Sequence, residues 1–344
     1  MNPKLKLIGL FAAILLTLIL LIAIKPYYLF LTKTLHISII KTLLSRDSLK
    51  TYNNQVNILL LGIPGSTHEG PDLSDSIIVA GYNLKTNQIT TISLPRDIWS
   101  DTLRDKINTA YSYGNAKKSD GGLKLAKAEI SSIVGLPIHY AAVLDFDQFK
   151  ELIDYLGGVE VEVDRSFTDE KFPIPGREDD KCDGDPEFKC RYETVSFKKG
   201  HTFMNGETAL KFVRSRHGDN AEGSDFARTK RQQKVLVALK NKLLEFVKGK
   251  GAKELEKLYG LFEKLIHRDI TNQQLAIIVK NVVLKGKLKQ KEIVLSENFF
   301  YVPNYLDYDG KYVLIPNDGT YREVHNFIAC NLENKPRCKE PEKN

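Results

Sequence analysis

Arg214, Arg216, Arg228, Lys230 and Arg231 crowd one stretch of this chain, residues 212–236, FVRSRHGDNAEGSDFARTKRQQKVL. A guanidinium is not deprotonated in a protein and presents a planar fork of donors. Arginines converging from two segments therefore suit a phosphate or pyrophosphate better than a metal ion, and the expected ligand is a multiply charged anion. The same spacing also fits a solvated basic helix.

The flanking residues show how the cations would be positioned. Residues 207–213 read as a short helix leading into Arg214 and Arg216, which point the same way if the chain is extended between them. After a Gly- and Asn-containing turn, Ser224 or Asp225 can cap a second helix. On that helix Asp225, Arg228 and Gln232 share a face at i, i+3 and i+7.

Upstream, VNILLLG reads as a strand buried on both faces. The Gly- and Pro-rich loop GIPGSTHEGPDLSDS follows and carries His68, Glu69, Asp72 and Asp75. SIIVAGYN and QITTISL then form two strands around a turn at Lys85, Thr86 and Asn87, and the second ends in Leu94-Pro95-Arg96-Asp97. Antiparallel neighbours put Asp75 and Arg96 at the same end of a sheet. Beyond them KINTAYSYG starts a short helix, GGLKLAKAEISSIVG reads as a longer one, HYAAVLD and VEVEV as strands, and FDQFKELIDYLGG as the helix between those two. This alternation predicts an α/β fold, a three-layer α-β-α sandwich around a mixed central sheet.

Residues 165–191 interrupt the rhythm with Asp, Glu, Pro and Gly, and hold Cys182 and Cys190. They read as a surface insertion or flap. Further helices are expected over 228–247, 253–266 and 272–284, late strands at EIVLSEN and YVLIP, and a closing helix over 320–329. The expected divisions are a cytoplasmic tip and membrane anchor at 1–25, a juxtamembrane spacer at 26–53, a folded domain at 54–330 and a polar tail at 331–344.

The anchor rests on residues 7–24, which carry no charge and are flanked by Lys4, Lys6 and Lys25. That length suffices to cross a bilayer, and no small-residue cleavage site follows. A single-pass protein results, with its N-terminus cytoplasmic and its bulk outside. Four cysteines in two equally spaced pairs, Cys182 with Cys190 and Cys330 with Cys338, favour disulfides in that location; of three connectivities the two local ones are preferred. A hydrophobic fraction of 42% and a charged fraction of 27% are ordinary for a globular protein, and a net charge of +7 suits an anionic membrane or substrate without indicating nucleic acid.

Taken in order, the strand ending in glycine, Asp75 in its loop, SLPRD, KINTAYSYG, GGVEVEV, FMNGETALKFVRSRH and DFARTKRQQ resemble the LytR-CpsA-Psr family of bacterial cell-envelope proteins. The likeness covers about residues 55 to 330. It implies a membrane-anchored enzyme that takes a phosphoglycan from a polyprenyl-pyrophosphate carrier and transfers it to peptidoglycan or another surface acceptor such as a teichoic acid or capsule site, with Mg²⁺ or Mn²⁺. By the same resemblance Asp75 is the metal-associated aspartate, and Arg96 and Asp97 belong to the PRD motif. Lys106 opens the KIN motif, Arg214 and Arg216 are the paired arginines, and Asp225, Arg228 and Gln232 match the motif of the following helix. The chain departs from the pattern at Gly62-Ile63-Pro64, where many members have Gly-x-Asp, and at Leu73, where many have arginine.

On this reading Arg96, Arg214, Arg216 and Arg228 grip the pyrophosphate, Lys106 and Gln232 orient its oxygens, and Asp97, Asp225 and Arg231 support them. Asp75 holds the metal, with Asp72, Glu69 or His68 as the substitute for the missing acidic ligand. The alternatives are a hydrolase using water as acceptor and a non-catalytic protein that holds lipid-linked glycan.

Overall fold

The computed structural model describes residues 22, 24–44, 49–65, 72–177, 179–333 and 338–341, with only the backbone of Asp147, Asp225, Phe226, Thr229 and Glu297. The expected anchor falls almost wholly outside these residues, as do His68 and Glu69. Among the described residues no helix is long and apolar enough to cross a membrane.

The centre is a six-stranded mixed sheet with flanking helices. Its strands are β1 (Gln55–Ile63), β2 (Ser76–Asn83), β3 (Gln88–Leu94), β4 (Tyr140–Asp145), β9 (Ile266–Arg268) and β10 (Lys289–Val294), in the order β9-β4-β1-β2-β3-β10. β1 runs antiparallel to β2 and parallel to β4, and β3 is parallel to β10. Alternation along β1 sends Leu59, Leu61 and Ile63 into one core and Val56, Ile58 and Leu60 to the other face. On the first face lie α1 (Ala110–Lys117), α2 (Gly121–Val134) and α8 (Arg322–Leu332), whose Tyr111, Leu123, Ile130 and Ile328 complete that core.

The second face is covered unevenly. Helix α7 (Asn272–Lys285), started by a capping box at Thr271 and Gln274, packs Ile277 near Val56 and Tyr140. It also ties down the stretch ahead of β1, because Gln273 accepts the Ser38 N–H at 2.7 Å and donates to Thr42 at 2.8 Å. At the other end of β1, Phe146 closes on Gly62, where an added Cβ would lie 2.8 Å from the Phe146 ring. Between them Leu60 is 40% exposed in the middle of the sheet. The expectation of a strand buried on both faces therefore holds for only part of β1, since α7 is placed over one end alone.

A second core forms beside this sheet from α3 (Phe146–Tyr155), α4 (Gly206–Arg214), α5 (Asp225–Lys248) and α6 (Ala252–Leu265). They enclose the small sheet of β5 (Val159–Val163) and β8 (Gly200–Met204). The interruption read in the sequence begins a hairpin, β6 (Phe167–Pro173) with β7 (Tyr192–Phe197), rooted in that core by Phe167, Phe172, Val195 and Phe197. Disulfides join Cys182 to Cys190 and Cys330 to Cys338.

Candidate active site

Helix α4 starts at Asn205, whose side chain accepts the Thr208 N–H at 2.9 Å, and buries Ala209, Leu210, Phe212 and Val213. Ser215, at φ −52° and ψ 132°, ends it in extended backbone, so Arg214 and Arg216 flank one extended residue. Two groups hold the turn that follows. Arg231 is 3% exposed and donates to the carbonyls of Phe212 (2.9 Å), Glu222 (2.7 Å) and Ser215 (2.5 Å) and to the Glu222 carboxylate (2.9 Å). Its Cζ also lies 4.9 Å from the Phe167 ring centre. This guanidinium is a clamp on the turn, and it does not line the cavity described below.

The second group is Asp169 on β6, which is fully buried. Its Oδ2 accepts the Ser215 hydroxyl (2.6 Å) and the N–H groups of Arg216 (3.0 Å) and His217 (3.1 Å), and Oδ1 accepts the Lys171 N–H (3.0 Å). Burial raises the proton affinity of this carboxyl, and the four donors more than offset it, so its pKa falls below the ordinary 3.8.

At the sheet end, the β1–β2–β3 registers place Ser76 opposite Gly62 and Ile77 opposite Leu94. Asp75 and Arg96 thus emerge side by side, as antiparallel pairing predicts, and their side chains form an ion pair. The Asp75 N–H is fixed to the Gly62 carbonyl at 2.8 Å. Arg216 reaches the same Asp75 Oδ1 from the other core at 3.1 Å. Behind Arg96, Asp97 lies 3.6 Å from its Nε and accepts Lys106 Nζ at 2.7 Å. A charge chain therefore runs Lys106, Asp97, Arg96, Asp75, Arg216.

These residues border two cavities. The first, about 400 Å³, is lined by Asp75, Arg96, Arg214, Arg216, Arg228 and Gln232 together with Phe146, His217 and the hairpin residues Lys171, Pro173, Pro175 and Tyr192. The second, about 410 Å³, shares Asp75, Arg96, Arg228 and Gln232. It continues over the sheet along Ile78, Leu94, Val294 and Leu295. Leu60 pairs with Ile78 across β1 and β2, so the apolar lining continues towards the uncovered middle of the sheet.

A model of the family described as LytR_cpsA_psr matches residues 32–326. The chain belongs to that family. It is similar to the polyisoprenyl-teichoic acid–peptidoglycan teichoic acid transferase TagU of Bacillus anthracis, 30% identical over 241 residues that cover 69% of this chain and 67% of that protein. It is also similar to the regulatory protein MsrR of Staphylococcus aureus, 25% identical over 281 residues, 80% of this chain and 75% of that one. The crystal structure of B. subtilis TagV shares the fold at a TM-score of 0.55, with 24% identity, and the match covers 83% of this chain and all of that one.

Of the residues singled out in the sequence, Asp75, Arg96, Arg214, Arg216, Arg228 and Gln232 come together at the first cavity. Asp97 lines the second cavity, and Lys106 stands behind it. Asp225 occupies the first position of α5, with Ser224 as the N-cap through its bond to the Ala227 N–H (3.2 Å), and the Asp225 side chain is outside the described part. Asp72 does not line the cavity; its charge is felt by the Tyr111 phenol. Sequence spacing did not reveal Asp169, three of whose four donors lie 46 to 48 positions away, or Lys171 and Tyr192 on the hairpin.

As a metal site the cavity offers, among the described residues, one lining carboxylate, Asp75, whose Oδ1 serves Arg96 and Arg216 and whose Oδ2 takes no hydrogen bond from any of them. Among the described residues the single cluster of three metal-capable groups is Asp180 with Cys182 and Cys190, and both sulfurs there are in a disulfide. This donor set fits Mg²⁺ bound through one carboxylate and substrate oxygens rather than in a cage of protein ligands.

Proposed function

We propose that this protein is a membrane-anchored, extracytoplasmic phosphotransferase that moves a phosphoglycan from a polyprenyl-pyrophosphate carrier to a cell-wall acceptor. The observation that carries the reading is the continuity of the arginine-lined cavity with the uncovered apolar strip at Ile78 and Leu60. A ligand with a pyrophosphate head and an isoprenoid tail matches both halves. The printed name of TagU, a polyisoprenyl-teichoic acid–peptidoglycan transferase, supports this donor and acceptor class. The two disulfides support an oxidising location outside the cytoplasm.

In this mechanism Arg96, Arg214, Arg216 and Arg228 neutralise the pyrophosphate, and Gln232 orients an oxygen. The acceptor hydroxyl attacks the phosphorus on the glycan side, a new P–O bond forms, the hydroxyl proton passes to the departing phosphate, and the bond to the bridging oxygen breaks, releasing polyprenyl phosphate. Phosphoryl transfer draws mainly on positioning and positive charge, which the fixed arginines provide before substrate arrives. Asp97 and Lys106 hold Arg96 in place. Mg²⁺, or Mn²⁺, would be held by Asp75 Oδ2 with substrate oxygens, and when bound it adds charge stabilisation of the leaving phosphate.

The test incubates the full chain in detergent with a polyprenyl-pyrophosphate-linked oligosaccharide and a peptidoglycan fragment. A glycan-phosphate-acceptor adduct appearing in step with polyprenyl phosphate supports the transferase. Release without adduct would favour hydrolysis, and binding without release a carrier protein.

A further inference from the structure

Four tyrosines recur within twelve residues late in the chain, Tyr301, Tyr305, Tyr308 and Tyr312, in YVPNYLDYDGKY. The segment is a closed loop whose base is the pairing of Tyr301 with Ile315. Inside it the Gly310 N–H donates to the Tyr305 carbonyl at 2.9 Å and the Lys311 N–H to the Tyr308 carbonyl at 3.0 Å. Tyr308 packs edge-on against Trp99, with ring centres 4.9 Å apart, and Lys311 Nζ reaches the Asp105 carboxylate at 2.8 Å. The other three rings do not follow Tyr308 inward. Tyr301, Tyr305 and Tyr312 are 47–59% exposed, beside the exposed Val302 and Leu306.

The loop is fastened to the arginine site through backbone. Leu314 donates its N–H to the Asp97 carbonyl at 2.9 Å and accepts the Trp99 N–H at 3.0 Å, next to Arg96 in the chain. Tyr312 and Asn298 line the second cavity together with Arg96 and Asp97. A ligand lying along the rings therefore ends beside Arg96. Two observations favour a sugar chain over a bilayer as that ligand. The stretch ahead of β1 is tied to α7, which covers Val56, whereas the loop stands at the end of the sheet where Gly62 and Asp75 lie. Val56 and Gly62 are separated by about 20 Å of strand, so the loop is remote from the end at which the expected anchor would enter. The exposed charges of the loop are the acids Asp307 and Asp309, since Lys311 is paired with Asp105, and they oppose an anionic lipid surface. Tyrosine, apolar on its ring face and polar at its hydroxyl, matches the faces and hydroxyls of a sugar.

We propose that Tyr301, Tyr305 and Tyr312 form a platform for the glycan strand of the acceptor. Sugar rings stack along the loop, and the strand brings a hydroxyl towards the phosphorus held at Arg96. This rests on the reading of the arginine-lined cavity as the phosphotransfer site.

The test titrates the full chain in detergent with a neutral β-linked N-acetylglucosamine hexasaccharide, with a sugar-free stem peptide and with bare prenyl pyrophosphate, each followed by calorimetry. Wild type should bind the hexasaccharide, and Tyr301→Ser combined with Tyr305→Ser should weaken that binding about tenfold, the product of two ring contacts. Tyr301→Phe combined with Tyr305→Phe keeps the rings and should stay within about threefold of wild type. In the coupled reaction the serine variant should raise the acceptor KM by a similar factor, and a rise in the donor KM instead would overturn the assignment to the acceptor. A hexasaccharide that does not bind wild type, or binds the serine variant equally well, would overturn the platform, as would a loss of affinity confined to the stem peptide. Trp99, the one tryptophan of the chain, lies against Tyr308 and reports what covers the loop. In vesicles containing brominated phosphatidylcholine its emission should persist, and quenching would place the loop on the bilayer and overturn the proposal. Failure of bare prenyl pyrophosphate to bind wild type would instead remove the phosphotransfer reading beneath it.

Discussion

The carboxylate of Asp169 accepts the backbone N–H of Arg216 at 3.0 Å, and the guanidinium of Arg216 in turn reaches Asp75 at 3.1 Å. A buried acid on the hairpin is thus coupled to the acid at the end of the central sheet through one arginine. The positive charge of the site is fixed by structure before any ligand binds, which is what electrostatic catalysis of phosphoryl transfer requires.

The first prediction concerns Asp169 itself. Its folded pKa lies below the ordinary 3.8, so its contribution to stability is complete above the unfolded value and is lost as pH falls through the folded one. Asp169→Asn should flatten the stability profile below about pH 4. Asp169→Ala, which strands one hydroxyl and three N–H donors, should cost about 2–4 kcal/mol at neutral pH. Urea unfolding across pH 2–7 checks both, and an unchanged acid limb in Asp169→Asn would contradict the assignment.

Arg231 should behave as a structural residue. Arg231→Met leaves three carbonyls and the Glu222 carboxylate without their donor, and a loss of about 3–5 kcal/mol is expected. Arg231→Lys should recover less than half of it, because an ammonium cannot reproduce the planar fork. Thermal unfolding of the three proteins measures the difference.

Asp97 pairs with Arg96 and with Lys106, so both residues should act on the ligand through Arg96. The pairs are partly exposed, so Lys106→Met should change stability by less than about 1 kcal/mol. Its effect should appear as a severalfold lower turnover with a smaller change in donor affinity, readable from kcat and KM measured separately. Equal loss in both, together with a large drop in Tm, would point to a merely structural ion pair.

Leu60 tests the apolar half of the cavity system. It is already 40% exposed, so Leu60→Gln leaves the core of the sheet filled. Binding of a long polyprenyl pyrophosphate should weaken by about tenfold, since an amide then faces the chain without a partner. Binding of a short prenyl pyrophosphate should fall less. Equal effects on both would place the tail elsewhere.

Much of this arrangement is legible before folding is considered. Asp75 and Arg96 are separated by a tight hairpin, so local pairing alone puts them together. Arg214 and Arg216 follow from one extended residue after a short helix. Arg231 is different, because its partners are mainly backbone carbonyls and no residue type marks those. Asp169 is likewise silent: an aspartate in FTDEKFP looks solvated until the turn at Ser215 folds onto it. The three-residue β9, Ile266–Arg268, is too short to show an alternation, and it falls where helical periodicity runs to Ile266. The open middle of β1 depends on where α7 lands, which VNILLLG cannot encode.

The most direct test of the central claim follows polyprenyl phosphate release and adduct formation together, with the full chain, a lipid-linked oligosaccharide and a peptidoglycan fragment. Wild type is compared with Arg96→Ala and Arg214→Ala, with and without Mg²⁺. The arginine cluster as the phosphotransfer site predicts that adduct and release fall together, by about a hundredfold or more, in each variant while the proteins stay folded. Adduct formation at the wild-type rate in either folded variant would contradict it.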